Sequence, residues 1–334
     1  MPPVLIQEYL FQRIREKLPE GHSLAEVVAG VLFVSNDSAY RRIRGETPLV
    51  LEEAKVLCDR FSISLDELLN SVPNSISFSS IEVDGGKQSF EVYIQGLLAN
   101  MKYVADAGGE IIYLTKDIPV FINFLYRPLF AFRYFFWMKS TIQHPDFIHA
   151  VFSLDMLDKK TEETGLEINR IYNTIPSTEI WNSECVNSLI SQVEYYREAG
   201  YFHSDKDITV IYQALAELID HIRERADAGS KFMPGDNSHS KKDNYKLFYN
   251  RVLLGDNTIM SVINEKKTLF LSYDVLNYMI TRDEKFCTSV YNRLQMLMKK
   301  ATMLSHASEK QRNIFFNLLL KKIPGRSTIL NTNT

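Results

Sequence analysis

This sequence has little cysteine, no long apolar run and no excess of basic charge. Its three cysteines, Cys58, Cys185 and Cys287, are far apart and make neither a Cys-x-x-Cys pair nor an even disulfide framework, which fits a reducing cytoplasm. The greasiest stretch, residues 118–138, contains Asn123, Arg127, Pro128 and Arg133, which argue against a membrane span. The first ten residues lack the basic start, apolar run and small-residue cleavage site of an export signal, so a cytoplasmic location without a membrane partner is expected. The formal net charge of −3 gives no broad attraction to nucleic acid. The first seventy residues are themselves slightly acidic, so a basic patch must be local.

The chemistry-bearing signatures are absent too. There is no phosphate-cradling glycine loop, no His-Glu-x-x-His, no Gly-x-Ser-x-Gly and no Cys/His cluster, so no enzymatic activity, cofactor or metal is expected. His144 and His149 are five residues apart, a spacing that does not put two imidazoles on one helix face. What remains is an ordinary globular composition, 45% hydrophobic and 24% charged, long enough at 334 residues for two or three domains.

Five short helices are expected in the first seventy residues. Residues 4–18 carry an apolar stripe that Pro19 and Gly21 end. Ser23, with Glu26 three places on, makes a capping box over residues 24–31. Ser35 caps residues 36–44, and Gly45 ends them. Residues 51–61 and 65–69, the latter capped by Ser64, complete the set. Serine-rich residues 71–80, with Pro73 and Asn74, read as a linker.

The block 23–69 resembles the lambda-repressor-like, or XRE, family of helix-turn-helix regulators. The likeness rests on the turn Phe33-Val34-Ser35, on Gly45, and on Pro48, Leu51, Ala54, Leu57 and Phe61 followed by Ile63-Ser64-Leu65-Asp66-Glu67-Leu68-Leu69. It covers about a fifth of the chain. Ala25 stands where the family usually has glutamine, Phe33 where the turn usually has glycine, and Arg42 where the third helix usually has an apolar residue. The resemblance implies that Asn36, Asp37 and Arg41 read base edges of double-stranded DNA, while Ser38, Tyr40, Arg42 and Arg44 contact the phosphate backbone. Helical spacing independently puts Ala39 and Ile43 inward and Asp37, Ser38, Arg41 and Arg44 outward. The competing reading is a solvated helix whose arginines pair with Asp37 or Glu46.

Residues 81–330 are expected to form a dimerising or effector-sensing domain. Helices are expected at 90–105, 119–139, 162–172, 182–198, 207–226, 283–303 and 309–323, with strands at 110–115 and 268–272. A hairpin is expected around Gly255-Asp256-Asn257, and residues 229–244 read as an exposed loop. The aromatics of 121–137 suit a core, a ligand pocket or a homodimer interface, and Arg127 and Arg133 among them are possible ligand or interface residues. The expected fold class is mainly α: a five-helix lambda-repressor-like bundle, then a larger helix-rich α+β domain with a small antiparallel sheet. The expected function is transcription regulation with a small-molecule effector as a possible partner. The alternative is a scaffold whose helix-turn-helix bundle no longer binds DNA.

Overall fold

The computed structural model describes residues 3–19, 21–61, 63–69, 76–81, 89–236, 243–252, 255, 257–274, 276–306 and 309–325. The chain divides into two compact units, residues 1–78 and 79–334. Residues 71–75 of the expected linker lie outside the described residues, and Ser79 and Ser80 belong to a strand of the second unit.

The first unit contains α1 (Pro3–Lys17), α2 (Leu24–Leu32), α3 (Asn36–Ile43), α4 (Leu51–Phe61) and α5 (Leu65–Leu69), close to where the capping signals put them. Ser23 accepts from the Glu26 amide and Ser35 from the Ser38 amide, so both caps are formed. The core is built from Leu10 and Ile14 of α1, Val28 of α2, Ala39 of α3 and Leu57 of α4. A side chain distant in sequence fixes the loop after α3. Gln7 Nε2 donates to the carbonyls of Arg42 (2.6 Å) and Thr47 (2.8 Å), and its Oε1 accepts from the Leu49 amide (2.9 Å). Three backbone groups of an irregular turn are thereby satisfied by one amide.

The second unit overturns the mainly-α expectation. Its strands β1 (Ser79–Ile81), β2 (Glu110–Leu114), β3 (Ser177–Trp181), β4 (Tyr245–Tyr249), β5 (Thr258–Ile263), β6 (Lys266–Ser272), β7 (Tyr278–Thr281) and β8 (Thr302–Met303) form one eight-stranded sheet in the order β1-β7-β6-β5-β2-β3-β4-β8. The sheet is mixed, not small and antiparallel. β2 pairs parallel with β3, and β3 with β4, while the other pairings are antiparallel. The helices are α6 (Ser89–Asp106), α7 (Arg127–Phe136), α8 (Lys159–Tyr172), α9 (Asn187–Glu198), α10 (Asp205–Ala228), α11 (Glu284–Lys300) and α12 (Glu309–Lys322).

Alternation along the strands sends side chains to two different cores. Ile111 and Tyr113 of β2, Trp181 of β3 and Tyr245 of β4 join a large core with α6 to α10 and α12. Ile112, Ile180, Met260 and Leu269 point to the other face, where Cys287, Leu294 and Leu297 of α11 cover them. Helices therefore lie on both faces of the sheet, as parallel strands require.

Two further expectations fail for local reasons. The single long aromatic helix over 119–139 is instead a 3₁₀ segment (Val120–Leu125), then α7, then a π-helical turn (Trp137–Thr141). Pro128 falls in the first turn of α7, where its missing N–H is harmless, and Tyr126 before it is extended. The hairpin around residues 255–257 does not form, because β4 pairs with β3 and β8 while β5 pairs with β2 and β6. The tight hairpin is the next one along. Ile263 faces Lys266 across Asn264 and Glu265, both left-handed at φ 48° and 66°, as a two-residue turn that matches strand twist demands.

Candidate nucleic-acid interface and a cavity in the larger unit

In the first unit α3 is held at both ends. Ser35 caps its start and Gly45, at φ 76°, follows its end. Ala39 is completely buried, and Asn36, Asp37, Tyr40, Arg41 and Arg44 are exposed, forming a single outward stripe. Two of its charges already have partners within the unit. Arg41 Nε lies 3.2 Å from Asp37 with a side chain 61% exposed, and Arg44 lies 3.7 Å from Glu46 and 5.9 Å from the Tyr40 ring centre. These are the surface pairs that the solvated-helix reading expects. Exposed pairs of this kind are worth little and open readily to a stronger anion.

Arg42 and Ser38 are placed differently from the phosphate-contacting role that the resemblance implies. The Arg42 guanidinium turns inward and binds Glu53 of α4 in a forked pair, Nε to Oε2 at 3.0 Å and Nη2 to Oε1 at 2.8 Å. Its Nη1 donates to the Ser38 carbonyl (3.2 Å) and hydroxyl (2.6 Å). The hydrogen bonds from Arg42 hold the Glu53 carboxyl below its ordinary range. An arginine where the resemblance leads one to expect an apolar residue is thus accommodated by a carboxylate eleven residues on, a pairing that helical periodicity does not reveal.

Phe33 closes the turn between α2 and α3. It is left-handed, φ 54°, and its side chain is 95% exposed. A bulky residue gains nothing there from packing and is strained in its backbone.

In the second unit the crowded aromatics are core. Phe121, Phe124, Phe130, Phe132 and Phe135 are buried, so the interface or pocket surface expected from them is not formed by those rings. Arg127 is tied to Glu162 and to the carbonyls of Leu154 and Leu157. Arg133 is brought to a cavity. The cavity, about 380 Å³, opens where β2 ends, between the loop 115–120, α7 and its π turn, α9, and the ends of β5, β6 and β7. Crevices outside the carboxyl ends of parallel strands are the usual ligand sites of such sheets.

Its lining mixes paired charges with aromatic rings. Arg133, 1% exposed, donates from Nη2 to both Asp117 oxygens (3.0 and 2.9 Å), from Nη1 to Gln192 (2.6 Å) and from Nε to Asn123 (3.3 Å). Asn257 accepts from the Lys116 amide at 2.8 Å and fixes the loop after β2. The Tyr113 and Tyr278 hydroxyls are hydrogen-bonded to each other, and burial pushes Tyr278 up to about 12. Trp137, at the start of the π turn, lines the cavity, yet among the described residues its indole N–H finds no acceptor. A π turn inside a helix commonly marks a functional position. Sequence reasoning reached Arg133 and, among the aromatics of 121–137, Trp137, but missed Asn257, Tyr273 and Tyr278 as lining residues, which come from separate segments of the chain.

A second buried polar cluster is closed rather than open. Glu179 of β3 is fully buried and accepts from Tyr172 (2.5 Å), Trp181 (2.7 Å) and Tyr245 (2.9 Å). Nearby Lys231 donates to the Ile175 carbonyl at 2.6 Å and to Ser177, with its ammonium 3.6 Å from the Tyr172 ring centre. Burial drives this lysine well below the ordinary lysine range. Ser230, Lys231 and Phe232 are buried, so the first part of the expected exposed loop is core; residues 237–242 lie outside the described residues. The three cysteines are buried, and desolvation pushes each thiol up, which makes them poor nucleophiles.

Among the described residues no helix is long and apolar enough to cross a membrane. No protein-family model, curated protein or solved structure matches this chain.

Proposed function

We propose that the chain is a sequence-specific DNA-binding transcription regulator of the helix-turn-helix type, whose larger unit senses a small molecule. The observation that carries this reading is the outward stripe of α3. Asn36, Asp37, Tyr40, Arg41 and Arg44 stand together on a short helix that is capped, docked through Ala39 and braced by the Arg42–Glu53 pair. A rigid helix of this kind, offering an amide and a carboxylate in its first turn and a guanidinium in its last, matches the hydrogen-bonding edges of the major groove. In this reading Asn36, Asp37 and Arg41 read bases and Tyr40 and Arg44 touch phosphates, while Arg42 positions the helix. One such module reads few base pairs, so two chains on a twofold-related site belong to the same proposal.

Binding of the full chain to genomic DNA fragments, followed across salt concentration, tests it. Enrichment of a defined sequence, with affinity falling as salt rises, is the expected result. Weak binding with no preferred sequence rejects it.

One observation favours a second reading, in which the small unit docks a protein. Phe33 is almost fully exposed, and Arg41 and Arg44 are already paired within the unit. Retention of a protein partner by the full chain, lost in Phe33→Ala but not in Arg41→Ala, would favour that alternative.

A further inference from the structure

We propose that the cavity at the end of β2 binds an uncharged planar heterocycle bearing a ring carbonyl, a nucleoside or its free base. This names the effector class for the sensing role proposed above, and rests on that role only for its regulatory meaning. Binding itself is independent of DNA.

Four features fix the ligand's chemistry. The first is charge balance: Lys116 and Arg133 are matched by Asp117 and Asp274, and the Arg133 charge is already engaged by Asp117. A phosphate or another polyanion has no surplus of positive charge to meet, whereas an uncharged ligand leaves the balance intact. The second is shape. Tyr113, Trp137, Tyr273 and Tyr278 supply aromatic surface around a volume of about 380 Å³, suited to a planar ring system with a small appendage.

The third is the unmatched donor. Trp137 lines the cavity and its buried indole N–H has no acceptor among the described residues, which is costly; a ring carbonyl brought against that N–H would supply one. Trp137 has little freedom to find another, because its ring lies against Phe90 and meets Phe124 edge-on. The fourth is the polar side of the cavity, where Ser188, Ser272 and Asp274 offer acceptors for sugar hydroxyls.

The test is calorimetric titration of the full chain, without DNA, with inosine and with uridine. Inosine monophosphate and L-tryptophan serve as the charged and zwitterionic comparisons. Saturable binding of at least one nucleoside is expected, with the monophosphate weaker. Trp137→Phe removes the N–H together with part of the buried ring surface and should weaken binding about tenfold, with the urea midpoint of the variant reporting the accompanying loss of packing. Tyr273→Ala, at the half-exposed rim, removes a stacking surface and should weaken binding as well. Either loss supports the assignment. The proposal is overturned if neither nucleoside binds, if the monophosphate or tryptophan binds more tightly than both, or if both variants bind as the parent does. A failure of DNA binding in the genomic-fragment assay leaves this result standing, so the two proposals fail separately.

Discussion

The guanidinium of Arg42 and the carboxylate of Glu53 lock α3 to α4 through two hydrogen bonds of 3.0 and 2.8 Å, with side chains only 15% and 20% exposed. Removing one partner leaves a half-buried charge, so Arg42→Ala and Glu53→Ala should each lower the stability of the first unit by roughly 1–3 kcal/mol. The pair also sets a pH dependence. Glu53 is depressed in the folded chain, so its contribution is complete above the ordinary carboxylate value of about 4.3 and is lost as pH falls through the lower folded value. Urea midpoints at pH 7 and pH 3 for parent and Glu53→Gln measure it: the two should converge at the acid end.

The exposed arginines of α3 should separate by role. Arg41→Ala should cost roughly 1–3 kcal/mol at the preferred site and much less on random DNA, as loss of a base contact does. Arg44→Ala should weaken all sequences alike and reduce the slope of log K against log salt by about 0.9, whereas Arg42→Ala should leave that slope unchanged. Fluorescence anisotropy at several salt concentrations, on specific and scrambled duplexes, distinguishes the three. A change of slope in Arg42→Ala would contradict its inward placement.

Phe33 is expected to be better replaced than kept, as far as folding is concerned. A left-handed backbone costs a bulky residue about 1–2 kcal/mol, and glycine adopts it freely. Phe33→Gly should therefore stabilise the first unit by about 1 kcal/mol in chemical denaturation of the full chain, after the greater chain entropy of glycine is subtracted. If the exposed ring serves recognition, the same variant loses affinity for DNA or for the protein partner while gaining stability.

In the second unit, pH acts through Lys231 and its neighbours. Lys231 is held well below the ordinary lysine value, so between its folded value and about pH 10.4 the unfolded chain binds the extra proton and stability rises with pH. Tyr172 and Tyr245 are pushed well above theirs by burial, so their contribution is complete below about pH 10 and is lost above it. Stability of the second unit should rise with pH toward about 10 and fall beyond it, and Lys231→Met should flatten the rise while keeping the fall. A parallel pH profile in that variant would refute the assignment.

The helices of the first unit were legible because their signals are local: Ser23 and Ser35 cap, Gly45 terminates, and apolar residues recur at helical spacing. The sheet was not. Parallel strands buried on both faces do not alternate, and β3, Ser177–Trp181, carries a glutamate at its centre that reads as a surface residue. Only the fold reveals that Tyr172, Trp181 and Tyr245 converge on that carboxylate. The hairpin signal was misplaced because Gly255-Asp256-Asn257 has turn composition, whereas Asn264-Glu265 makes the turn without glycine. At the site, Arg133 stood out as a charge among aromatics, but its carboxylate Asp117 lies sixteen residues away across a change of helix type.

The pairing of β2 with β5 joins Glu110–Leu114 to Thr258–Ile263, and β2 is also where the parallel and antiparallel parts of the sheet meet. A chain leaving the ribosome has β2, β3 and their helices in hand well before β5 exists, so this seam closes late, against the loop entropy of nearly 150 residues. The cavity is lined from both sides of that seam, by Tyr113 and Asp117 on the early side and by Asn257, Ser272 and Tyr278 on the late one. Its assembly therefore reports closure of that seam. A molecule that fits it would bind only chains in which β5, β6 and β7 have joined β2, and so would favour the closed seam by mass action.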